Sequence, residues 1–138
     1  MFKLFTITEA TRLLPVIEGH VATLQRASHD AEALKQRLAV IGQQRSSGRT
    51  AGGVESQNLL QELSFLAGCA HAAKAELDRL GVELTDLEGG TVAIPASVAG
   101  EVVALTWARG QDEITHYRRL TGDADPHPLP SDVRVQQA

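Results

Sequence analysis

Residues 59–80, LLQELSFLAGCAHAAKAELDRL, decide the fold of this 138-residue chain. Apolar or small residues recur there at alternating steps of four and three, which is the heptad seam of a helix that packs along a partner helix. The seam consists of Leu59, Leu63, Leu66, Ala70, Ala73, Leu77 and Leu80. Gly81 follows directly, where a glycine commonly ends a helix in the left-handed conformation. The pattern therefore predicts a helix from about residue 55 to residue 80.

The segment before this helix predicts its partner. Thr6-Ile7-Thr8-Glu9 is a capping box, which is typical of a helix start. Pro15 has no amide hydrogen to donate inside a helix, so we expect a short first turn, a kink, and a long helix from about residue 15 to residue 44. Its apolar row also steps by about three and four: Ile17, Val21, Leu24, Ser28, Ala31, Leu34, Leu38 and Ile41. The loop at 45–53, RSSGRTAGG, would join the two helices as an antiparallel hairpin.

Beyond Gly81 the pattern changes to one typical of β-strands. Short alternating runs at 82–85, 91–94 and 101–107 are separated by glycine turns, which predicts a small antiparallel β-meander. The run at 113–120 fits either a fourth strand or a short helix, and 121–130 reads as loop. The sequence thus predicts a single α+β domain. Its helical hairpin would cover about 6–80 and its β-rich part about 82–120, with a loop and a frayed tail over 121–138.

Composition narrows the classes of function. The net charge is −4 and the only compact basic group is Arg118-Arg119, so the stripe of cations that binds nucleic-acid phosphates is missing. Cys69 is the single cysteine, which suits a reducing compartment. No secretion signal and no run of about 20 apolar residues is present. We therefore expect a soluble cytoplasmic protein that binds neither nucleic acid nor membrane.

Several short motifs, taken in order along the chain, resemble one known bacterial family. The motifs are Phe5-Thr6, Leu13-Leu14-Pro15, the Gly-x-Val-x-x-Pro pattern of Gly90, Val92 and Pro95, then Trp107 with Gly110, and Glu113-Ile114. In this order they resemble the domain-of-unknown-function 2203 family over nearly the whole chain. The resemblance implies a helical hairpin followed by strands, and it leaves the function open.

The chain departs from that family's pattern mainly at polar positions. Before the proline, the family pattern has Asp-Phe and this chain has Ala93-Ile94. Beside the tryptophan, the family pattern has Cys and Arg and this chain has Thr106 and Ala108. Further on, the family pattern has Glu and then Trp-His, and this chain has Gln111 and then Tyr117-Arg118. The comparison implies that this divergent member lacks most of the groups that a site in the β-rich part would use.

The strongest candidate for a metal site lies near the C-terminal end. His116, Asp123, Asp125 and His127 combine two imidazoles with two carboxylates, ligands that suit zinc, manganese or ferrous iron. The alternative is an ordinary solvated turn. We predict no other cofactor, because the remaining histidines and Cys69 are spaced so that they diverge around their helices.

An acid–base cluster of Glu113, His116 and Tyr117 around Trp107 is a second possibility for chemistry. Against it, a strand alternates its faces, which would place His116 opposite Tyr117. Trp107 then serves as an anchor in the core or in an interface.

The second helix is apolar beyond its seam, which favours self-association. The candidate interface residues are Leu60, Leu63, Phe65, Leu66, Ala67, Cys69 and Ala72. Together they form a strip wider than one partner helix covers, and such strips mark interfaces. We expect a homodimer in which two hairpins pack into a four-helix arrangement. The leading hypothesis is a non-catalytic interaction or oligomerisation module. The alternative is a metal-dependent or acid–base enzyme that uses the segment from Glu113 to His127.

Overall fold

The computed structural model describes residues 4–46, 53–120 and 125–130. Two long helices come first, α1 (Ile7–Ser46) and α2 (Gly53–Leu80). They are followed by the strands β1 (Glu83–Asp86), β2 (Thr91–Val98), β3 (Glu101–Ala108), β4 (His116–Arg119) and β5 (His127–Pro128). These strands form one antiparallel sheet in the order of the chain. The predicted α+β fold, a helical hairpin followed by a β-meander, is confirmed.

The predicted capping box forms at the start of α1. The Thr6 amide donates to Glu9 Oε1 at 3.1 Å, and the Glu9 amide donates to Thr6 Oγ1 at 3.1 Å. The helix therefore begins at Ile7, and the prediction that the long helix begins near Pro15 is wrong. A proline inside a helix costs about 3 kcal/mol, whereas burial of an Ile or Leu side chain contributes about 1.5–3 kcal/mol. Ile7 and Leu14 are both buried, so burial on this face offsets the proline.

The sheet extends further along the chain than the sequence pattern predicts. Segment 113–120, which the sequence left open, forms β4, and the predicted loop at 121–130 is wrong where β5 lies. Tyr117 pairs with His127 in the ladder, and the Leu129 amide donates to the Thr115 carbonyl at 2.8 Å. Leu129 is buried in the core, and this burial holds the short strand in place.

The core lies between one face of the sheet and the nearest turns of the hairpin. Alternate residues of the two central strands point into it: Val92, Ile94 and Ala96 from β2, and Val103, Leu105 and Trp107 from β3. Phe5 extends this layer, because its amide donates to the Pro95 carbonyl and its carbonyl accepts from the Ser97 amide. In α1, the residues that belong to the core end at Leu24. In α2, the fully buried residues of the core begin at Ala73.

The hairpin therefore has two parts. We call residues 7–27 and 70–80 the hairpin base, and residues 28–46 and 53–69 the hairpin stalk. Forty residues of α1 reach about 60 Å, whereas a strand of eight residues reaches about 27 Å. The strands themselves cover only the base, and in the stalk the seam residues Leu59, Leu63 and Leu66 are half-buried.

Neither helix, in the part of the chain that the structure describes, has an apolar stretch that could cross a bilayer.

Candidate functional site

Trp107 is an anchor of the core. Its side chain is 2% exposed, and its indole Nε1 donates to the Gln111 carbonyl at 3.0 Å. The Gln111 side chain returns to the same turn by accepting from the Ala108 amide at 3.2 Å. The tryptophan therefore fixes the turn after β3, and its side chain is almost completely buried.

The acid–base cluster predicted around Trp107 does not assemble on one face. Tyr117 packs against the core cluster, whereas its neighbour His116 lies on the opposite, uncovered face of the sheet. Glu113 precedes β4 and is half-buried. Because side chains alternate along β4, His116 and Tyr117 lie on opposite faces of the sheet, which is the alternative predicted from the sequence.

The structure places the two histidines of the predicted metal site apart. His127 pairs with Tyr117 in the sheet, and their ring centroids are 5.6 Å apart, which sets His127 on the core side. His116 pairs with Pro128 and faces the other way. Asp125 lies beside β5 and is exposed, and Asp123 lies outside the described residues. Within the described residues, no three His, Cys, Asp or Glu side chains converge to hold an ion, and the set that includes Asp123 stays a prediction.

The predicted interface residues of α2 divide between two faces. Phe65, Cys69 and Ala72 are four and three residues apart, so they share one side of the helix, which we call the Phe65 face. Leu60 and Ala67, seven residues apart, share the opposite side, which we call the Leu60 face. Leu63 and Leu66 belong to the seam between them and are half-buried against α1. The broad strip expected from the sequence is therefore two surfaces.

A shallow groove of about 410 Å³ runs beside the Phe65 face. Phe65, Leu66 and Cys69 line it from α2, and Gly19, Ala22, Thr23, Arg26, Ala27 and Asp30 line it from α1. No atom lies within 4 Å of where a side chain on Gly19 would begin, so the floor of the groove is open. Phe65 is 69% exposed at its edge. A large apolar side chain thus stands beside a concavity lined mainly by small residues.

The groove on the Leu60 side, of about 420 Å³, is bounded by the sheet as well as by the helices. Leu87, from the turn between β1 and β2, closes one end of it. Gln25 holds that turn, because its Nε2 donates to the Leu87 carbonyl at 3.0 Å and to the Glu88 carbonyl at 3.2 Å. The domain itself therefore partly covers this side of the hairpin, whereas the groove of the Phe65 face is lined by the two helices alone.

The uncovered face of the sheet carries a further concavity, of about 370 Å³. Its floor comes from alternate residues of β2, β3 and β4: Thr91, Ala93, Ala104, Thr106, Ala108, His116 and Arg118. The sequence pattern does not indicate this surface, because Arg118-Arg119 reads there as one basic pair. The strand alternation could have revealed that the two arginines belong to opposite faces.

A family model described as an uncharacterized conserved protein, DUF2203, matches residues 3–125. The chain belongs to the DUF2203 family. Searches of curated proteins and of solved structures returned no match. The description of DUF2203 names no activity and no functional residue.

Most of the motif residues by which the chain resembles DUF2203 build the fold. Gly90 has a φ of 67°, and a side chain there would begin 2.9 Å from Gln25 Nε2 and 3.3 Å from Val21 Cγ1. Glycine thus allows the sheet to approach α1 closely. Val92 and Ile114 are fully buried. These residues of the DUF2203 motifs therefore contribute to the packing between the sheet and the hairpin.

Proposed function

We propose that this chain is a non-catalytic self-association module, in which the Phe65 face of one hairpin packs on the Phe65 face of a second copy. The observation that carries the proposal is the exposure of Phe65, at 69%, on a helix whose seam is already used. The assembly would be a homodimer in which four helices form a coiled-coil-like bundle. The single cysteine among 138 residues supports a cytoplasmic location for it.

The Phe65 face has the self-complementary form that a two-fold interface requires. In such an interface the same surface serves both partners, so each must carry both a projection and a recess for the other. Phe65 provides the projection, and the groove at Gly19, Ala22 and Thr23 provides the recess. Seating each phenyl ring in the partner's groove would bury two aromatic side chains. Burial of each contributes about 1.5–3 kcal/mol.

Charge at the same groove also supports pairing of like surfaces. Arg26 and Asp30 both line it, one turn apart on α1, and both side chains are exposed. Within the described residues, no ion pair joins either of them to another side chain. A two-fold axis that reverses the direction of α1 can bring Arg26 of one copy towards Asp30 of the other. Such a pair at the rim adds orientation more than affinity.

The test is the molar mass of the protein over a range of concentrations, by sedimentation velocity. We expect a dimer for the natural sequence and a monomer for Phe65→Glu, because the buried ring would be replaced by a carboxylate that resists desolvation. The folded state should persist in Phe65→Glu, since the side chain is mostly exposed in the single chain. A natural sequence that remains monomeric at all concentrations would overturn the proposal.

Cys69 supplies a second readout at the same surface. It is the only thiol in the chain and lies half-buried in the groove of the Phe65 face. In the dimer we expect its modification by a disulfide reagent to slow as protein concentration rises, because association covers the groove. In Phe65→Glu the rate should be fast and independent of concentration. A rate that does not vary with concentration in the natural sequence would contradict pairing through this face.

A further inference from the structure

The uncovered face of the sheet differs in charge from the rest of this acidic chain. Among the described residues that line its concavity, the only ionisable side chains are His116 and Arg118, and none is a carboxylate. The protein as a whole has a net charge of −4. Glu83 belongs to this face only at the outer edge, where it pairs with Ala93, and does not line the concavity. The concavity is therefore a locally basic surface.

The two neighbouring arginines of β4, Arg118 and Arg119, lie on opposite faces of the sheet and differ in their ion pairs. Arg119 pairs with Val103 and lies on the helix side of the sheet, where its Nε is 3.6 Å from Glu101 Oε1. Arg118 pairs with Ala104 and lies on the uncovered face. It has no ion-pair partner among the described residues. Its guanidinium thus retains all of its donors for a ligand.

Thr115 contacts the side chain of His116 and Thr106 contacts its backbone, near Arg118 in the strand. Thr115 Oγ1 lies 2.8 Å from His116 Nδ1, and Thr106 Oγ1 donates to the His116 carbonyl at 3.2 Å. When Thr115 donates to Nδ1, the hydrogen of the neutral imidazole is on Nε2, which then becomes a donor. His116 and Arg118 are two residues apart on one strand, so their side chains leave the same face about 7 Å apart.

Part of the floor of the concavity is apolar. Ala93, Ala104 and Ala108 form this apolar part, and Val102, which is 41% exposed, continues the same face of β3. These small side chains leave room for a planar or branched apolar group over the strands. The volume of about 370 Å³ is at the low end of the range for small-molecule sites.

We propose that this face binds a small organic acid, with the carboxylate on Arg118 and His116 and the apolar body over the alanines. A carboxylate fits better than a phosphate for two reasons. A planar carboxylate matches the fork of one guanidinium. Phosphate sites generally add a nest of backbone amides, whereas the amides of β2 and β3 are engaged in the ladder with their neighbours. The site lies on the face opposite the hairpin and does not depend on the Phe65 face.

The test is a titration of ¹⁵N-labelled full-length protein, followed by amide chemical shifts, with benzoate as the probe and benzamide as its neutral isostere. We expect saturable shifts at Thr106, His116 and Arg118 with benzoate. Arg118→Gln should raise the dissociation constant about tenfold, because a charge-assisted pair of hydrogen bonds is lost. Arg119→Gln is the matched control and should leave the constant unchanged, and Arg118→Lys should give an intermediate loss.

The outcomes separate this proposal from its competitors. Equal affinity for benzoate and benzamide would show that charge does not matter, and would overturn it. Tighter binding of phenyl phosphate than of benzoate would overturn the choice of a carboxylate. Equal losses in Arg118→Gln and Arg119→Gln would mean that overall charge, and not the site, attracts the anion. A change in molar mass on Arg118→Gln alone would show that the face meets a second copy and not a small molecule. Each result can be read whether or not the hairpin dimerises, because Phe65→Glu can be titrated in parallel.

Discussion

The hairpin base and the hairpin stalk use the same heptad seam but differ in what surrounds it. In the base, α1 and α2 pack on each other and on the sheet, and Ile17, Val21 and Leu77 are almost completely buried. In the stalk each helix packs mainly on the other, with only the turn at Leu87 beside them, and the seam leucines of α2 are half-buried. The same repeat thus lies in two different surroundings. The base is buried in the core, whereas near Phe65, where stalk and base meet, apolar surface stays exposed.

The largest effect should come from shortening a seam leucine in the base. We expect Leu77→Ala, which removes a side chain that is 1% exposed, to lower the free energy of unfolding by about 2–5 kcal/mol. Leu63→Ala, on the same seam of α2 but in the stalk, should lower it by about 1 kcal/mol, since the half-buried site leaves no closed cavity. Urea unfolding of both variants in the Phe65→Glu background gives the comparison. Equal losses would contradict the division into base and stalk.

The next effect concerns the contact between the base and the sheet at Gly90. A methyl group there would meet Gln25, Arg109 and Val21 within 3.3 Å, and the φ of 67° also disfavours alanine. We expect Gly90→Ala to cost at least about 2 kcal/mol of unfolding free energy.

Gly100 is the matched control for this substitution. Its φ is 79°, but no atom lies within 4 Å of the added methyl. Gly100→Ala should therefore cost only about 1 kcal/mol, from backbone strain alone. Thermal or urea unfolding of the two variants separates strain from crowding. If Gly100→Ala were as costly as Gly90→Ala, crowding against the base would not be the cause.

An exposed ion pair in the stalk should have a small effect. Arg37 Nε lies 2.8 Å from Glu55 Oε1 and links α1 to α2 near the far end of the hairpin, with both side chains about half exposed. We expect Arg37→Ala to reduce the free energy of unfolding by about 0.2–1 kcal/mol, and less in high salt. A loss as large as that of Leu77→Ala would show that charge, and not burial, holds the stalk together.

The smallest expected effect concerns metal. The structure sets His116 and His127 on opposite faces of the sheet, so we expect protein purified without an affinity tag to hold no stoichiometric zinc or manganese. Added zinc should leave the melting temperature unchanged. Elemental analysis and a thermal shift measurement test this directly. Near-stoichiometric metal that is lost in His127→Ala would instead favour the alternative enzyme, with Asp123 among its ligands.

The helical part of the fold was predictable because its signals are local and repeated. The capping box at Thr6 and the seam of α2 each depend on residues within a few turns of one another. The start of α1 was mispredicted because burial of Ile7 and Leu14 against the sheet offsets Pro15, and a sequence pattern does not show that packing. Strand β5 was missed for a similar reason. Its two residues carry no alternation, and tertiary contacts at Leu129 hold it.

The candidate surfaces were predictable only in part. The sequence identified the apolar residues of α2, but the two faces became distinct only when α1 and the turn at Leu87 were placed beside them. The basic concavity needed the register of β3 with β4, because that register puts Arg118 next to Ala104 and Arg119 next to Val103. Pairing between strands distant in sequence is information that composition and spacing do not contain.

Pairing of two copies through the Phe65 face is tested most directly by the dissociation constant of the dimer in two matched variants, Phe65→Glu and Leu60→Glu. Both side chains are largely exposed, at 69% and 57%, and both lie on α2, so each variant adds the same charge to a folded chain. We expect sedimentation equilibrium to find Phe65→Glu monomeric and Leu60→Glu dimeric, with a dissociation constant close to that of the natural sequence. A Leu60→Glu variant that dissociates while Phe65→Glu remains dimeric would contradict pairing through the Phe65 face.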